Sequence, residues 1–427
     1  MTANPFTFGN PIRDPARFVG RRAEIRQIVS RLTSSAHEST SVVGERRMGK
    51  TSLLNYLVHP EVAPVLGLAP QEYCLVYLDF QGLTDITPRR FWQRVLGKMA
   101  RAASDPDLAG RMQGLAAQAD FDLFDLEDLF DAVGACQVTT VLLLDEFEYV
   151  TQNPNFGSDF FGGLRALAIH HCLALVPATR RELVDLCHSA EIKGSPFFNI
   201  FANVVLRPMP GPDVNDLWRG YVADSGWDLT PEDKEFALQL GGGHPFFVQM
   251  AGYYLIEGVA RGLSGQPLRS FVAAQFDQQA DAHHAYLWTH CSESERVTLL
   301  AALGLSRQKP SRKTAPSLEN LARLHSRAAL DVISLGKRGL LSEADGMFAL
   351  FSSSFERWVA LEILAPEGQQ ESEASVEAFL AEGGRERLEP VRGSLPRFKR
   401  KYWPVVGDIL KEVSFELVAG VILSRMV

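Results

Sequence analysis

Residues 42–57 read Val42-Val43-Gly44-Glu45-Arg46-Arg47-Met48-Gly49-Lys50-Thr51-Ser52-Leu53-Leu54-Asn55-Tyr56-Leu57. The stretch from Gly44 to Thr51 fits the pattern G-x-x-x-x-G-K-[ST]. Before it stands the strand-like "TSVV", and after it the helical "TSLLNYLV". In that setting the glycines let the backbone curl until successive N–H groups point inward, and the helix that follows adds its positive end. Such a loop suits a chain of phosphates. Lys50 would reach the β- and γ-phosphates, and the Thr51 hydroxyl would ligate Mg2+. The phosphate-facing positions run from Gly44 through Glu45, Arg46, Arg47, Met48, Gly49, Lys50 and Thr51 to Ser52.

The surroundings repeat one alternation. "YCLVYLDF" (73–80) precedes the helical "RRFWQRVLGKMA" (89–100), and "TTVLLLDEF" (139–147) and "CLALVPATR" (172–180) follow. Short β-rich runs, apolar on both faces and alternating with helices, predict a parallel sheet covered by helices on both sides, an α/β domain of the P-loop NTPase type. Asp145 closes the strand "VLLLD" where a metal-holding carboxylate belongs, gripping Mg2+ through water. Glu146 beside it is placed to polarise an attacking water. Two acids ending a buried strand at the surface are the plain alternative; the order behind the phosphate loop favours the site for Asp145, whereas geometry decides whether Glu146 is a working base. Arg180, ahead of Arg181, stands at a third strand tip from which a guanidinium reaches a γ-phosphate, or is simply a solvated strand-end charge.

After "VVLRPMPGP" (204–212) the strand signals stop. A helical segment follows to about Tyr286, broken by "GGGHP" (241–245). Ser292 and Glu295 then form a capping box before an apolar-periodic helix. "SLENLARLH" and "AALDVISLGKRG" predict two more helices, and Asp345-Gly346 between alternating runs predicts a hairpin. Three helices with a hairpin wing make a winged-helix module, closed by "SSFERWVALEIL". The expected borders are a P-loop domain at 1–210, a helical lid at 211–286, the winged helix at 287–365 and a C-terminal extension at 366–427.

In this order the motifs resemble the STAND class of P-loop NTPases, which includes the NB-ARC switches and is related to AAA+ ATPases. The resemblance spans about residues 8–365. "FVGRRAEIRQI" (18–28) looks like the segment bordering the adenine in that class, which would bring Val19, Gly20 and Arg21 to the nucleotide base. "PATR" resembles the strand-end sensor arginine and carries that role to Arg180. "LGGGHPFFVQMAGYYL" (240–255) looks like the G-x-P motif of the lid, implying that Pro245 packs on the nucleotide and that His244 contacts its phosphates. Both residues also have plain readings, since proline favours the first turn of a helix. What the resemblance implies is a switch that binds ATP or ADP with Mg2+ and hydrolyses ATP slowly. Its nucleotide state would set the lid and winged helix and hence self-association or partner binding. Members of the class usually carry a repeat array as sensor and a separate effector domain; this sequence has neither in recognisable form.

Composition narrows the field. The 427 residues are 46% hydrophobic and 22% charged, with a net charge of −8. A chain of this balance is not built to coat nucleic acid or an anionic membrane. Five scattered cysteines without CxxC spacing read as reduced thiols. "MTANPFTFGNPIRDP" has no signal-peptide pattern, and Asp408, Lys411, Glu412 and Glu416 interrupt the apolar stretch 405–427, so a soluble cytoplasmic protein is expected. A DNA-associated AAA+-like ATPase is the alternative, using the basic run Arg307, Lys309, Arg312, Lys313, Arg323, Arg327, Lys337 and Arg338. Against it, the helix that would enter the major groove is apolar and small, and the wing "SEADGM" is acidic. "RFKRKYW" (397–403) suits a nucleic acid, an anionic membrane or a partner helix, or a linker whose aromatics pack while its cations stay solvated.

Overall fold

The computed structural model describes residues 3–103, 105–189, 193–223, 225–307 and 315–364. Lys309, Arg312, Lys313, the 397–403 segment and the expected extension lie outside the described residues. The described residues form two compact units. One is Gly9–Arg207; the other joins the residues up to Phe8 with those from Pro208 onward.

In the first unit five parallel strands, β1 (Thr40–Val43), β2 (Tyr73–Asp79), β3 (Thr139–Asp145), β4 (Leu173–Thr179) and β5 (Ala202–Val205), stand in the order β2-β3-β4-β1-β5. The strands are apolar on both faces because both faces are covered. On β3, Val141 and Leu143 join the core beneath α1 (Arg22–Leu32) and α2 (Lys50–Leu57). Leu142 and Leu144 point the other way, into a core shared with α3 (Pro88–Ala102), α4 (Pro106–Ala117), α5 (Leu123–Ala135) and α7 (Ser158–His170). Between β3 and α7 lies the single-turn α6 (Glu148–Thr151). This is the P-loop NTPase fold, with β1, β3 and β4 delivering their C-terminal ends to one edge of the sheet.

The second unit is helical up to a hairpin. Its elements are α8 (Gly211–Val222), α9 (Pro231–Gly241), α10 (Pro245–Ala260), α11 (Gly265–Thr289), α12 (Glu293–Ser306), α13 (Leu318–Leu324), α14 (Ala328–Arg338), the hairpin β6 (Leu341–Ala344) and β7 (Met347–Leu350), and α15 (Ser353–Val359). The Ser292–Glu295 capping box starts α12. Asp345 and Gly346 turn the hairpin with φ of 52° and 74°, left-handed at both positions as a two-residue turn of this kind requires. Phe6 is fully buried in this unit, its ring 5.2 Å from Trp218 and 5.3 Å from Tyr221. Asp331 of α14 gathers three groups: the hydroxyls of Ser294 (2.6 Å) and Thr298 (2.9 Å) donate to it, and the His325 ring lies 3.2 Å away.

Helix α15 is tied to α11 by the Arg357–Asp277 pair and by Trp358 Nε1 donating to Asp281 at 2.8 Å. Between those ties lies His284, 1% exposed among Phe247, Phe355 and Trp358. Burial, joined by the charges of His283, Arg357 and His244, holds its pKa well below 6.5. The unfolded chain therefore takes up a proton that the folded one refuses. The stability this neutral ring contributes is complete above the unfolded value near pH 6.5 and is lost as pH falls below it. Between pH 6.5 and 5 the protein should lose up to about 1.4 kcal/mol per pH unit from this site. His284→Gln should flatten that slope in urea titrations; parallel profiles for the two proteins would disprove the assignment. Among the described residues no helix is long and apolar enough to cross a membrane.

Candidate functional site

The candidate site is built where β1, β3 and β4 end. The loop after β1 begins with the Gly44 N–H donating to Thr179 O of β4 at 3.1 Å. A Cβ at Gly44 would lie 3.1 Å from Leu206 Cβ, so the first glycine of the motif is needed for close packing. Gly49 has a φ of 93° just before α2, and Arg47 is also left-handed at 64°. Lys50 is buried (4% exposed) with its Nζ turned back into the loop, donating to Gly44 O at 2.9 Å and Glu45 O at 3.3 Å. The ammonium is thus held by two carbonyls of its own loop, at the first position of α2. The Ser52 hydroxyl accepts from Ile12 N at 3.0 Å. Met48 is fully packed in the core beneath, while Arg46 is exposed. Arg47 is half-buried, and burial together with the neighbouring Arg46 charge lowers its pKa.

Asp145 is 1% exposed at the tip of β3, and its carboxylate accepts hydrogen bonds from Thr51 and from Tyr77 (3.0 Å). Burial raises its pKa above the ordinary carboxylate range; the bonds from Thr51 and Tyr77 and the charge of Lys50 pull it back down. The structure thus brings Thr51 beside Asp145 and adds Tyr77. It also sets Asp79 directly beside Asp145 in the β2–β3 register, a second carboxylate with no motif to announce it. Glu146 sits in a left-handed conformation (φ 51°), and burial, then the charge of Glu148, raises its pKa.

At the tip of β4, Arg180 Nε donates to Glu148 Oε1 at 2.8 Å, and Arg181 lies 3.9 Å from Glu45 within the phosphate loop. Glu148 stands on a one-turn helix and belongs to no motif. Its only signal was a third acid within four residues of Asp145. Before α1, Gly20 and Arg21 are left-handed in succession (φ 78° and 60°) beside half-buried Val19. The Arg21 guanidinium donates to Met48 O at 3.2 Å and to Glu24 at 3.2 Å, bracing the phosphate loop from outside.

A comparison with known families finds a match to Novel STAND NTPase 2 over residues 21–304, well over half of the chain. The chain belongs to this STAND NTPase family. A comparison with curated proteins finds no match. Among solved structures, the Walker-type ATPase paby2304 of Pyrococcus abyssi is 15% identical, with a TM-score of 0.52, over 82% of this chain and 98% of that one. The ORC2 protein of Aeropyrum pernix, in ADPNP–ADP complexes, is 14% identical with a TM-score of 0.46, over 84% of this chain and 97% of that one. The RuvB Holliday junction branch migration motor of Thermotoga maritima is 13% identical with a TM-score of 0.38, covering 78% and 92%. The first of these is a likeness of fold.

His244 and Pro245 of this STAND NTPase belong to the second unit. His244 is the N-cap of α10 and is 3% exposed, its ring 4.8 Å from Phe247 and 6.3 Å from Phe351. Pro245 opens the helix at its first position. The glycines before them answer to packing. A Cβ on Gly242 (φ 60°) would lie 1.8 Å from Phe351 O, one on Gly243 (φ 72°) 2.4 Å from Met209 O, and one on Gly241 3.0 Å from the α10 backbone. "GGGHP" is therefore the point where three backbone segments meet. Among the described residues no group of three or more His, Cys, Asp or Glu could hold a metal ion alone. A cation at Thr51 and Asp145 would depend on phosphate oxygens for the rest of its shell, as Mg2+ commonly does.

Proposed function

We propose that this chain is an ATP-binding, slowly hydrolysing switch of the cytoplasm. Its nucleotide state sets the position of the helical segment 211–286 and of the 287–365 module, and through them self-association or partner binding. The observation that carries this reading is the prebuilt loop: a buried Lys50 ammonium held by Gly44 and Glu45 carbonyls, with the Thr51–Asp145 pair beside it. In this scheme the residues from Gly44 to Ser52 bind the phosphates, and Val19, Gly20 and Arg21 border the base. Thr51 and Asp145 hold Mg2+, which when bound neutralises phosphate charge and orients the terminal group. Glu146 takes a proton from the attacking water, a role favoured by the burial and the Glu148 charge that make its carboxylate more basic. Arg180 reports the third phosphate. His244 and Pro245 close the diphosphate form.

A switch needs different affinities for the two nucleotides in its two forms, since equal affinity shifts nothing. The 287–365 module fits the winged-helix reading by its order of three helices and a hairpin, and it favours a protein partner over DNA. The exposed face of α14 carries Leu330 (63% exposed) and Ile333 (59%), and the hairpin exposes Glu343 and Asp345. Neither feature reads base edges or attracts phosphate.

The test identifies by mass spectrometry the nucleotide carried by the purified protein, then compares particle size by light scattering with ADP and with a non-hydrolysable ATP analogue. A larger or re-shaped particle with the analogue is expected. Identical sizes, with steady-state turnover indistinguishable from zero, would reduce the nucleotide to a stabilising ligand.

A further inference from the structure

Glu148 stands three residues beyond Asp145 and is 2% exposed. Its Oε1 accepts from Arg180 Nε at 2.8 Å, and its Oε2 is buried without a hydrogen-bond partner. The turn that bears it is fixed: Phe147 is fully buried and its N–H donates to Ala178 O of β4 at 3.1 Å, while Thr151 O accepts from His188 N at 3.3 Å. Arg180, by contrast, is about one-third exposed, on a longer side chain. A buried carboxylate therefore faces a partly exposed guanidinium.

A carboxylate in this setting is expensive to leave unpaired. Any phosphate that recruits Arg180 must outbid Glu148, and ATP brings a third phosphate, with its charge, that can do so. A diphosphate, lacking that group, leaves the pair in place. Resting on the reading of Arg180 as the reporter of the third phosphate, we propose that Glu148 is a positioning residue that holds Arg180 until a third phosphate arrives, so that the Glu148–Arg180 pair sets the preference between ATP and ADP. No covalent step is involved; one ion pair is exchanged for another. The phosphate loop then supplies affinity common to both nucleotides, while the pair supplies the difference between them.

The experiment measures dissociation constants for ADP and for a non-hydrolysable ATP analogue on the full chain, in wild type, Glu148→Gln, Arg180→Ala and the double variant. Glu148→Gln should tighten the analogue about 10-fold, within the usual range of coupling between sites, and leave ADP within about two-fold. Arg180→Ala should lose the preference, and the double variant should match it for both nucleotides. Weaker analogue binding in Glu148→Gln would mean that Glu148 orients Arg180 rather than competing for it, and would overturn the proposal. So would equal shifts for both nucleotides, or an effect that survives in the Arg180→Ala background. If Glu148→Gln fails to fold by circular dichroism, Glu148→Asp keeps the charge but shortens its reach, and should move the ratio in the same direction by about 3-fold; an unchanged ratio overturns the proposal. Wild-type protein that binds neither nucleotide would overturn the nucleotide site itself, whereas binding with an unaltered ratio in the variant overturns the pair alone.

Discussion

Lys50→Ala should abolish retention of nucleotide through purification and weaken its binding by at least about 100-fold, or ~3 kcal/mol, since charge-assisted hydrogen bonds contribute about 1.5–3 kcal/mol each. The expectation follows from where the ammonium sits. Lys50 is at the first position of α2, 4% exposed, and bonded to carbonyls at both Gly44 and Glu45. Removing it takes away a buried positive charge and leaves those carbonyls facing the space a phosphate needs. The fold should tolerate the change, because the apolar neighbours Leu53, Leu54 and Leu57 carry the packing of α2. Calorimetric titration with ADP, beside a melting curve, separates the two effects. Wild-type affinity in a folded variant would refute the nucleotide site.

The second large effect is on stability. Gly242→Ala should cost about 4 kcal/mol and lower the melting temperature of the second unit by about 10 °C, because an added methyl meets backbone and a left-handed φ strains any side chain. The neighbours cannot yield cheaply: the new Cβ would lie 1.8 Å from Phe351 O and 2.6 Å from Phe351 C. Phe351 follows β7 and its N–H donates to Leu340 O, so moving it disturbs the hairpin. Gly336→Ala is the control, since nothing lies within 4 Å of its Cβ and the residue is inside α14. That change should be neutral or stabilising by up to about 1 kcal/mol. Scanning calorimetry that found the two variants alike would show that "GGGHP" is not a packing junction.

Much of the first unit was legible because its signals are local. Gly44, Gly49 and Lys50-Thr51 form a motif whose meaning depends on backbone geometry over eight residues, and "LLLD" is a strand because a run apolar on both faces has nowhere else to go. The capping box at Ser292 and the turn at Asp345-Gly346 are equally local. Phe6 was not legible: its partners Trp218 and Tyr221 lie more than two hundred residues away, and Phe6 and Phe8 alone are too few to set a period. Nor was the double duty of "GGGHP", where glycine is demanded by Phe351 and Met209, both distant from it in the chain.

The same division holds within the candidate site. The sequence alone determined the class of fold and the place of the glycine-rich loop between β1 and α2, since a loop's own spacing dictates its backbone path. Only the tertiary structure decided which charges face one another there. Tyr77 and Asp79 reach Asp145 through strand register, Arg21 reaches Met48 O across the loop, and Arg180 meets Glu148 because β4 ends beside α6. Ion pairing acts through space over a few ångströms, and proximity in space between residues 148 and 180 is a property of the sheet order, which no local pattern encodes.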